Sequence, residues 1–554
     1  MSPVVHASAF KHEAHFNRHK LGEFGVLLKC RHSTTSRTPE RLVDPSSVMA
    51  KTSGSNGAKM KKVPKASDGG WSWLVVLGSF FIHVFTDGIV YSFGVLVDTL
   101  KTKFEGQDAA ASAIVSILVG LTLSLGPIAS IITDKFGCRA TAIAGSIIAT
   151  IGCVTSYFAS SIGLLIVTMG CIMGVGFSLL YCPAIVIVSQ HFEKRRGLAT
   201  GIAVCGASVG TLAFPPIIAY FVDPNNGDDF WKNVYIFDSV VVFACLLCGL
   251  VFYPPDYVEE SDEESSILSK KTLPEASKKD SPEASKKTLS EASEVESRKK
   301  VKHEESETFC GRVKQMFKEA VDYTLFVHPV FMIYAVSNFI NCLGFNAPMV
   351  FIINHLVDVR GAATSREAAW CLSIFGISNG IGRILFGITA DRSFPCAVGK
   401  DKKRNRFLLF IFCLVLSGAS TIACIWCDTR LLVSIYCAVF GLGIGGVVCL
   451  TSCVLVDFIG IARFTSGFGL LLLFQGVGTI IGPPFAGYLA DITKPNLHYS
   501  WSFLFSGIAL LISGPMLFII PLLPKPKVPE NSEDQNEIST TSRSERSEAA
   551  SANV

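Results

Sequence analysis

Charge is scarce in this chain and unevenly spread. Of 554 residues only 17% are Asp, Glu, Lys or Arg, against roughly a quarter in soluble proteins. Long stretches hold almost none, whereas both ends and one central segment hold a great deal. That distribution excludes a single soluble domain and points to a protein that crosses a membrane many times. Other absences narrow the class. There is no Walker motif, so ATP-driven pumping has no support. No metal-ligand cluster and no nucleophile–base pair is visible, so neither a metal site, nor a cofactor, nor an enzyme is expected. The net charge of +4 is small, and no block resembles a nucleic-acid surface. A cleavable signal peptide is not visible either: residues 1–67 are polar and basic apart from Phe24–Leu28, and Met49 is an alternative start. Cysteine, by contrast, is plentiful at 18 residues. Most sit inside apolar runs (Cys153, Cys171, Cys245, Cys248, Cys449, Cys453), where a thiol behaves as a small hydrophobe. Cys424-x-x-Cys427 is a weak redox or metal signal.

What is present is a repeat. Arg195-Arg-Gly-Leu-Ala-Thr-Gly201 and Gly210-Thr-Leu-Ala-Phe-Pro-Pro216 return as Arg463-Phe-Thr-Ser-Gly-Phe-Gly469 and Gly478-Thr-Ile-Ile-Gly-Pro-Pro484, offset by 268 residues. A spacing of that size means that the chain repeats a whole half of itself. Apolar runs of spanning length begin near Trp71, Ala113, Thr141, Ile162, Leu198 and Val234, then near Leu325, Trp370, Phe407, Leu431, Phe464 and Trp501. At about 20 residues per span this gives six helices in each half. The segment between the halves is charged and repeats Pro-Glu-Ala-Ser-Lys-Lys at 274–279 and 282–287. It reads as a disordered linker.

The expected organisation is therefore a disordered tail over 1–67, a six-helix bundle over 68–255 and a charged linker over 256–322. A second bundle follows over 323–523, then a disordered tail over 524–554. The fold class is all-α and integral to the membrane. Lys and Arg set the orientation. With both termini in the cytoplasm, the inner loops hold Lys135, Arg139, Lys194, Arg195, Arg196 and the 400–406 cluster, and the outer loops only scattered charges such as Lys101, Lys232 and Arg360.

Three short motifs follow helices: Asp134-Lys-Phe-Gly137-Cys-Arg139, Gly387-Ile-Thr-Ala-Asp391-Arg392 and Gly487-Tyr-Leu-Ala-Asp491. The first two resemble the loop motif of the major facilitator superfamily, in which an Asp–Arg network at a helix end latches one conformation. The third falls at an outer end and carries little weight. Two further segments resemble the monocarboxylate transporter family within that superfamily. Asp68-Gly-Gly-Trp71-Ser-Trp73 is similar to its opening motif, with Ser72 where the family usually has Gly. His191-Phe-Glu-Lys-Arg-Arg-Gly-Leu-Ala-Thr-Gly201 is similar to its second, and Asn338–Ile352 resembles its seventh helix. The resemblance covers roughly 68–523. It implies a major facilitator fold, about 12 helices as two six-helix bundles, and a plasma-membrane transporter of monocarboxylates or related carboxylate-bearing solutes, with or without a proton. It also brings in a single-span glycoprotein escort, which some family members need.

Arg383 lies deep in the eighth apolar run, where a charge is costly and must face a cavity or a partner. Its planar guanidinium fork suits a carboxylate, and the family carries an Arg there. Four residues earlier the family has Asp where this chain has Asn379. On the first helix His83, Asp87 and Tyr91 form one stripe. The proton-coupled members carry Lys where Tyr91 aligns, so both ionisable partners of the usual coupling pair are missing. Asp87 is the replacement candidate, for a proton or for a cationic group on the substrate; a helix-packing carboxylate is the competing interpretation. His83 reads as an interior histidine, and Asp238 is ambiguous. Ser452 falls where some members have a bulky Phe, which implies a roomier cavity. The substrate set is thus Arg383, Asn379, Asp87, Tyr91 and Ser452; the gating set is Asp68, Trp71, Lys194, Arg195, Arg196, Asp134, Arg139, Asp391 and Arg392. Gly441-Leu-Gly-Ile-Gly-Gly446 fits a dinucleotide pattern but sits inside an apolar span, where close helix packing explains it better. The competing functions are a transporter of a larger or zwitterionic solute (an amino acid or creatine-like molecule) without a proton, and a non-transporting receptor or sensor.

Overall fold

The structure, a computed structural model, describes residues 61–104, 108–223, 227, 229–260, 322–355, 365–393, 400–427, 429–492 and 499–523. Most of the N-terminal tail (Met49 included), most of the linker and all of the C-terminal tail lie outside the described residues.

Long apolar stretches become helices because only internal hydrogen bonding satisfies a backbone in hydrocarbon. The first half holds α1 (Trp71–Lys103), α2 (Asp108–Ser124), α3 (Gly126–Tyr157), α4 (Ile162–His191, with a π-turn at Ile166–Ile172), α5 (Arg196–Phe221) and α6 (Asn233–Leu250). The second half holds α7 (Pro329–Phe345, continued by Ala347–Asn354), α8 (Ser365–Ala390), α9 (Lys402–Ala423), α10 (Arg430–Ile459), α11 (Phe464–Ile492) and α12 (Ser500–Ser513), followed by the 3-10 helix Pro515–Leu522. Among the described residues eleven helices are long and apolar enough to cross a membrane. The expected twelfth is accounted for at Gly137. The ladder runs from α2 into α3 without a gap, since Leu125 N–H bonds Leu121 O and Ala129 N–H bonds Leu125 O. The backbone then leaves helical geometry at Gly137, with φ 83° and ψ 159°, a conformation open to glycine and costly for other residues. Two spans therefore share the Gly126–Tyr157 element.

Helix ends are set locally. Thr429 caps α10 by accepting from Leu432 N–H at 3.4 Å, Asp401 caps α9 by accepting from Lys403 N–H at 2.9 Å, and His328 with Pro329 opens α7. Within the first half α1 packs on α5 and α6, and α3 on α4 and α6; within the second α8 packs on α10, α9 on α10 and α12, and α7 on α11 and α12. Two seams join the halves: α5 against α8, and α2 and α3 against α11. Large apolar side chains such as Val240 (65% exposed) and Leu247 (63% exposed) remain on the outside, as a lipid-facing perimeter requires.

One feature differs from expectation. Lys61–Pro64 (β1) and Tyr257–Glu260 (β2) pair antiparallel, in register Lys61 to Glu260 and Pro64 to Tyr257. Both strands lie in stretches read as tail and linker. The pairing ties the start of α1 to the end of α6.

Candidate functional site

The α1 stripe faces the boundary between the halves. His83, Asp87 and Tyr91 line a cavity whose far walls come from α7, α8, α10 and α11, with Tyr181 of α4 completing its near side. The cavity has a volume of about 170 Å3. Arg383 enters it from α8. Its side chain is 7% exposed, its Nη1 donates to the Val204 carbonyl of α5, and its Nε finds no hydrogen-bond partner among the described residues. An arginine that lines a cavity with one donor unpartnered is suited to an incoming anion.

His83 is an interior histidine, as expected, with one ring nitrogen satisfied. Its Nδ1 lies 2.7 Å from the Ser79 carbonyl, which can only accept, so Nδ1 carries the hydrogen. Nε2 is buried and without a partner among the described residues, and the ring stands edge-on to Tyr181 at 5.4 Å.

Of the sequence-derived substrate set, Asp87, Tyr91, Arg383 and Ser452 meet in this one cavity. Asn379 lies beside it, in a narrow space shared with Tyr91 and Arg383, and its Oδ1 accepts from Ser208 Oγ of α5 at 3.1 Å. It therefore bridges α5 and α8. Sequence reasoning missed the neutral members of the wall, among them Tyr181, Thr200, Asn341 and Gln475. Three wall atoms, Thr200 Oγ1, Asn341 Oδ1 and Ser452 Oγ, are buried without partners among the described residues. Amides inside apolar spans were the available signal, because a polar group there needs a reason.

The seam closes toward one end. A Cβ at Gly387 would lie 2.5 Å from the Gly197 carbonyl oxygen, and one at Gly201 2.5 Å from that of Arg383. Farther along, a Cβ at Gly380 would meet Ser208 at 3.1 Å, and one at Gly376 would meet Leu212 at 3.5 Å. The helices thus diverge from the Gly197–Gly387 contact outward.

At the closed end the motif residues interlock. Asp391, at the end of α8, accepts from Gly197 N–H at 3.0 Å and Leu198 N–H at 2.8 Å, so a carboxylate of one half caps the N-terminus of a helix in the other. Burial pushes its carboxyl above the ordinary value, opposed by those two N–H groups and by Arg406. Arg406 lies 3.8 Å from Asp391 and grips Asp457 with two bonds of 2.7 and 2.9 Å. On the other seam, where α3 meets α11, Asp134 stands in the motif that corresponds to that of Asp391, and Thr465 is the repeat counterpart of Gly197. Arg139 and Arg392 are exposed, and the Arg392 carbonyl receives Asn405 Nδ2 at 3.3 Å.

The opening motif and the basic motif bind each other. Asp68, at φ 50°, accepts from the backbone N–H groups of Glu193, Lys194 and Arg195 at 3.0, 3.0 and 3.4 Å. Trp71 Nε1 donates to Val251 O, and Trp73 meets Phe192 edge-on at 5.0 Å. Arg196 turns inward and donates to the Phe192 carbonyl at 2.9 Å. Among the described residues no group of three or more His, Cys, Asp or Glu side chains is placed to hold a metal.

The chain matches known proteins in sequence and in fold. The sequence model described as Major Facilitator Superfamily matches residues 76–450 and 334–551. Among curated proteins the chain is 27% identical to monocarboxylate transporter 12 of Xenopus laevis over 460 residues, covering 82% of this chain and 90% of that one. It is 28% identical to monocarboxylate transporter 4 of Gallus gallus over 455 residues, covering 82% and 83%. Among solved structures the proton:xylose symporter XylE bound to 6-bromo-6-deoxy-D-glucose superposes with a TM-score of 0.57 at 14% identity, over 82% of this chain and 96% of that one.

Proposed function

The chain belongs to the Major Facilitator Superfamily, and on that footing we propose that it carries carboxylate-bearing organic solutes across the plasma membrane by alternating access. The observation that carries the reading is Arg383, buried at the boundary between the two halves beside a cavity walled by both, its Nε without a partner among the described residues. A substrate carboxylate takes the free side of the guanidinium fork. The halves over 68–255 and 323–523 then rock about this midplane site, the parts meeting at the Asp391 cap acting as the gate. Binding energy is shared between the two end states, since a ligand held much more tightly in one of them would not be released. Both termini and the linker face the cytoplasm in this reading, as the Lys and Arg distribution favours.

A second substrate reading has its own support. Asp87 faces the same cavity as Arg383, and the Thr200, Asn341 and Ser452 side chains, without partners for these atoms among the described residues, offer further hydrogen bonds. An opposed carboxylate and guanidinium suit a zwitterion such as an amino acid or a creatine-like molecule. The same Asp87, with His83, is the group that would take a proton if transport is proton-coupled.

Uptake into liposomes holding only this protein tests the proposal. Labelled lactate is compared with an amino-acid and creatine panel, with and without a pH gradient. Lactate flux that ignores the gradient removes proton coupling; flux of the zwitterions alone selects the second reading. Absence of flux for every solute favours a receptor or sensor. Full transport by Arg383→Ala overturns the site. Surface delivery with and without a co-expressed single-span glycoprotein tests the escort.

A further inference from the structure

At the end of the second half that carries Asp391, another groove opens between α9, α10 and the 3-10 helix Pro515–Leu522. Its walls are apolar: Phe407 and Leu408 from α9, Phe458 from α10, Phe518 and Ile520 from the 3-10 helix. Phe407 meets Phe458 edge-on at 5.8 Å and Phe518 at 6.4 Å. The helix break at Gly514-Pro515 starts this wall, and it leaves Phe518 49% and Leu522 82% exposed. The trench is therefore continuous with the lipid-facing perimeter.

Its mouth is cationic. Lys403 and Arg404 line it, both exposed and without an ion-pair partner among the described residues. Two carboxylates also line the groove, and both are engaged. Asp457 is held by Arg406 through two hydrogen bonds. Asp401 accepts from Lys403 N–H as the cap of α9, and it stands among Lys400, Lys402, Lys403 and Arg404. Net positive charge thus lies over an apolar trench at the end of membrane helices.

We infer that this groove binds an anionic phospholipid, its phosphate on Lys403 and Arg404 and an acyl chain along Phe407, Phe458 and Phe518. The trench alone would accept any lipid; the uncompensated cations select a negative headgroup. A soluble acidic peptide would need the cations and leave the trench unused. The site is separate from the solute cavity. Lys403 and Arg404 lie within one turn of Arg406, which holds Asp457 and reaches Asp391. A bound headgroup therefore steadies the segment that supports the contact between the halves.

The test uses the full chain in detergent, with native mass spectrometry after addition of dioleoyl phosphatidylserine or dioleoyl phosphatidylcholine at equal concentration. The serine lipid is expected to be retained over the choline lipid by about 30-fold, from about 1 kcal/mol per cation. Lys403→Gln with Arg404→Gln, both at exposed positions, abolishes the preference. Phe518→Ser, which removes a wall and keeps both cations, lowers retention of the serine lipid. Equal retention of the two lipids by the unaltered chain overturns the inference. So does unchanged retention by Phe518→Ser, which would mean that the charges act without the trench. Displacement of the lipid by millimolar inorganic phosphate would mark a phosphate site instead and also overturn it.

Discussion

Gly387 and Gly197 touch across the boundary between the halves, and that contact makes a quantitative prediction. A methyl group at 387 would lie 2.5 Å from the Gly197 carbonyl oxygen and 3.3 Å from Cys449 Sγ. Neither the carbonyl nor the helix that carries it can yield as a flexible side chain does. Overpacking of this kind costs about 1–3 kcal/mol. The cost falls on the arrangement in which α5 and α8 touch and disappears when they part. The helix-propensity gain of Ala over Gly, about 1 kcal/mol, is common to both arrangements and cancels. Gly387→Ala should therefore shift the balance toward the parted state by about 5- to 150-fold. A native reporter sits at the contact: Cys449 is fully buried, and its thiol donates to the Gly197 carbonyl at 3.5 Å. Its rate of modification by a small charged methanethiosulfonate, resolved by peptide mass spectrometry, should rise by that factor. Gly376→Ala on the same helix is the control, because its methyl would meet Leu212 at an ordinary 3.5 Å; its rate should stay near that of the unaltered chain. Equal Cys449 rates in both variants and the unaltered protein would refute the reasoning.

Other outcomes follow from single contacts. Arg383→Lys keeps the charge and loses the fork; with charge-assisted bonds worth about 1.5–3 kcal/mol, uptake per unit KM should fall roughly 10- to 150-fold in liposomes. Arg406→Gln leaves Asp457 buried without its partner, which costs about 3–5 kcal/mol and should lower the thermal midpoint by several degrees. Adding Asp457→Asn should recover much of that loss, and failure to recover would show that the pair acts through something else. Asp68→Ala releases three backbone N–H groups at 193–195; about 1–3 kcal/mol of stability should go with them, with faster proteolysis in that loop as the readout.

Much of this molecule was legible in its sequence because hydrocarbon tolerates so few arrangements of a polar backbone. The 268-residue repeat announced two halves, and the structure sets both copies, α5 and α11, on the seams between them. The cavity lining was legible in part for a related reason: Asp87 and Arg383 are ionisable groups inside apolar runs, and few such groups occur without a cavity. The hydroxyl-bearing residues carried no such flag. Thr200 and Tyr181 read as ordinary members of apolar spans, and only their position turns them toward the cavity. The β1–β2 pair was invisible because eight residues divided between two polar stretches carry no periodicity to detect.

Composition and periodicity by themselves determined a membrane protein of two repeated halves, since span length and charge scarcity follow from the bilayer alone. They did not determine partnerships. That Asp391 caps α5 rather than its own half, that Asp68 gathers the 193–195 amides, and that Asn379 bridges to Ser208 are contacts between residues 125 to 194 positions apart. Such contacts depend on which helix faces are brought together, and local sequence does not encode that. The same holds for the lipid groove: Lys403 and Arg404 read as part of a topogenic cluster, and only the packing of Phe407, Phe458 and Phe518 beneath them makes a site.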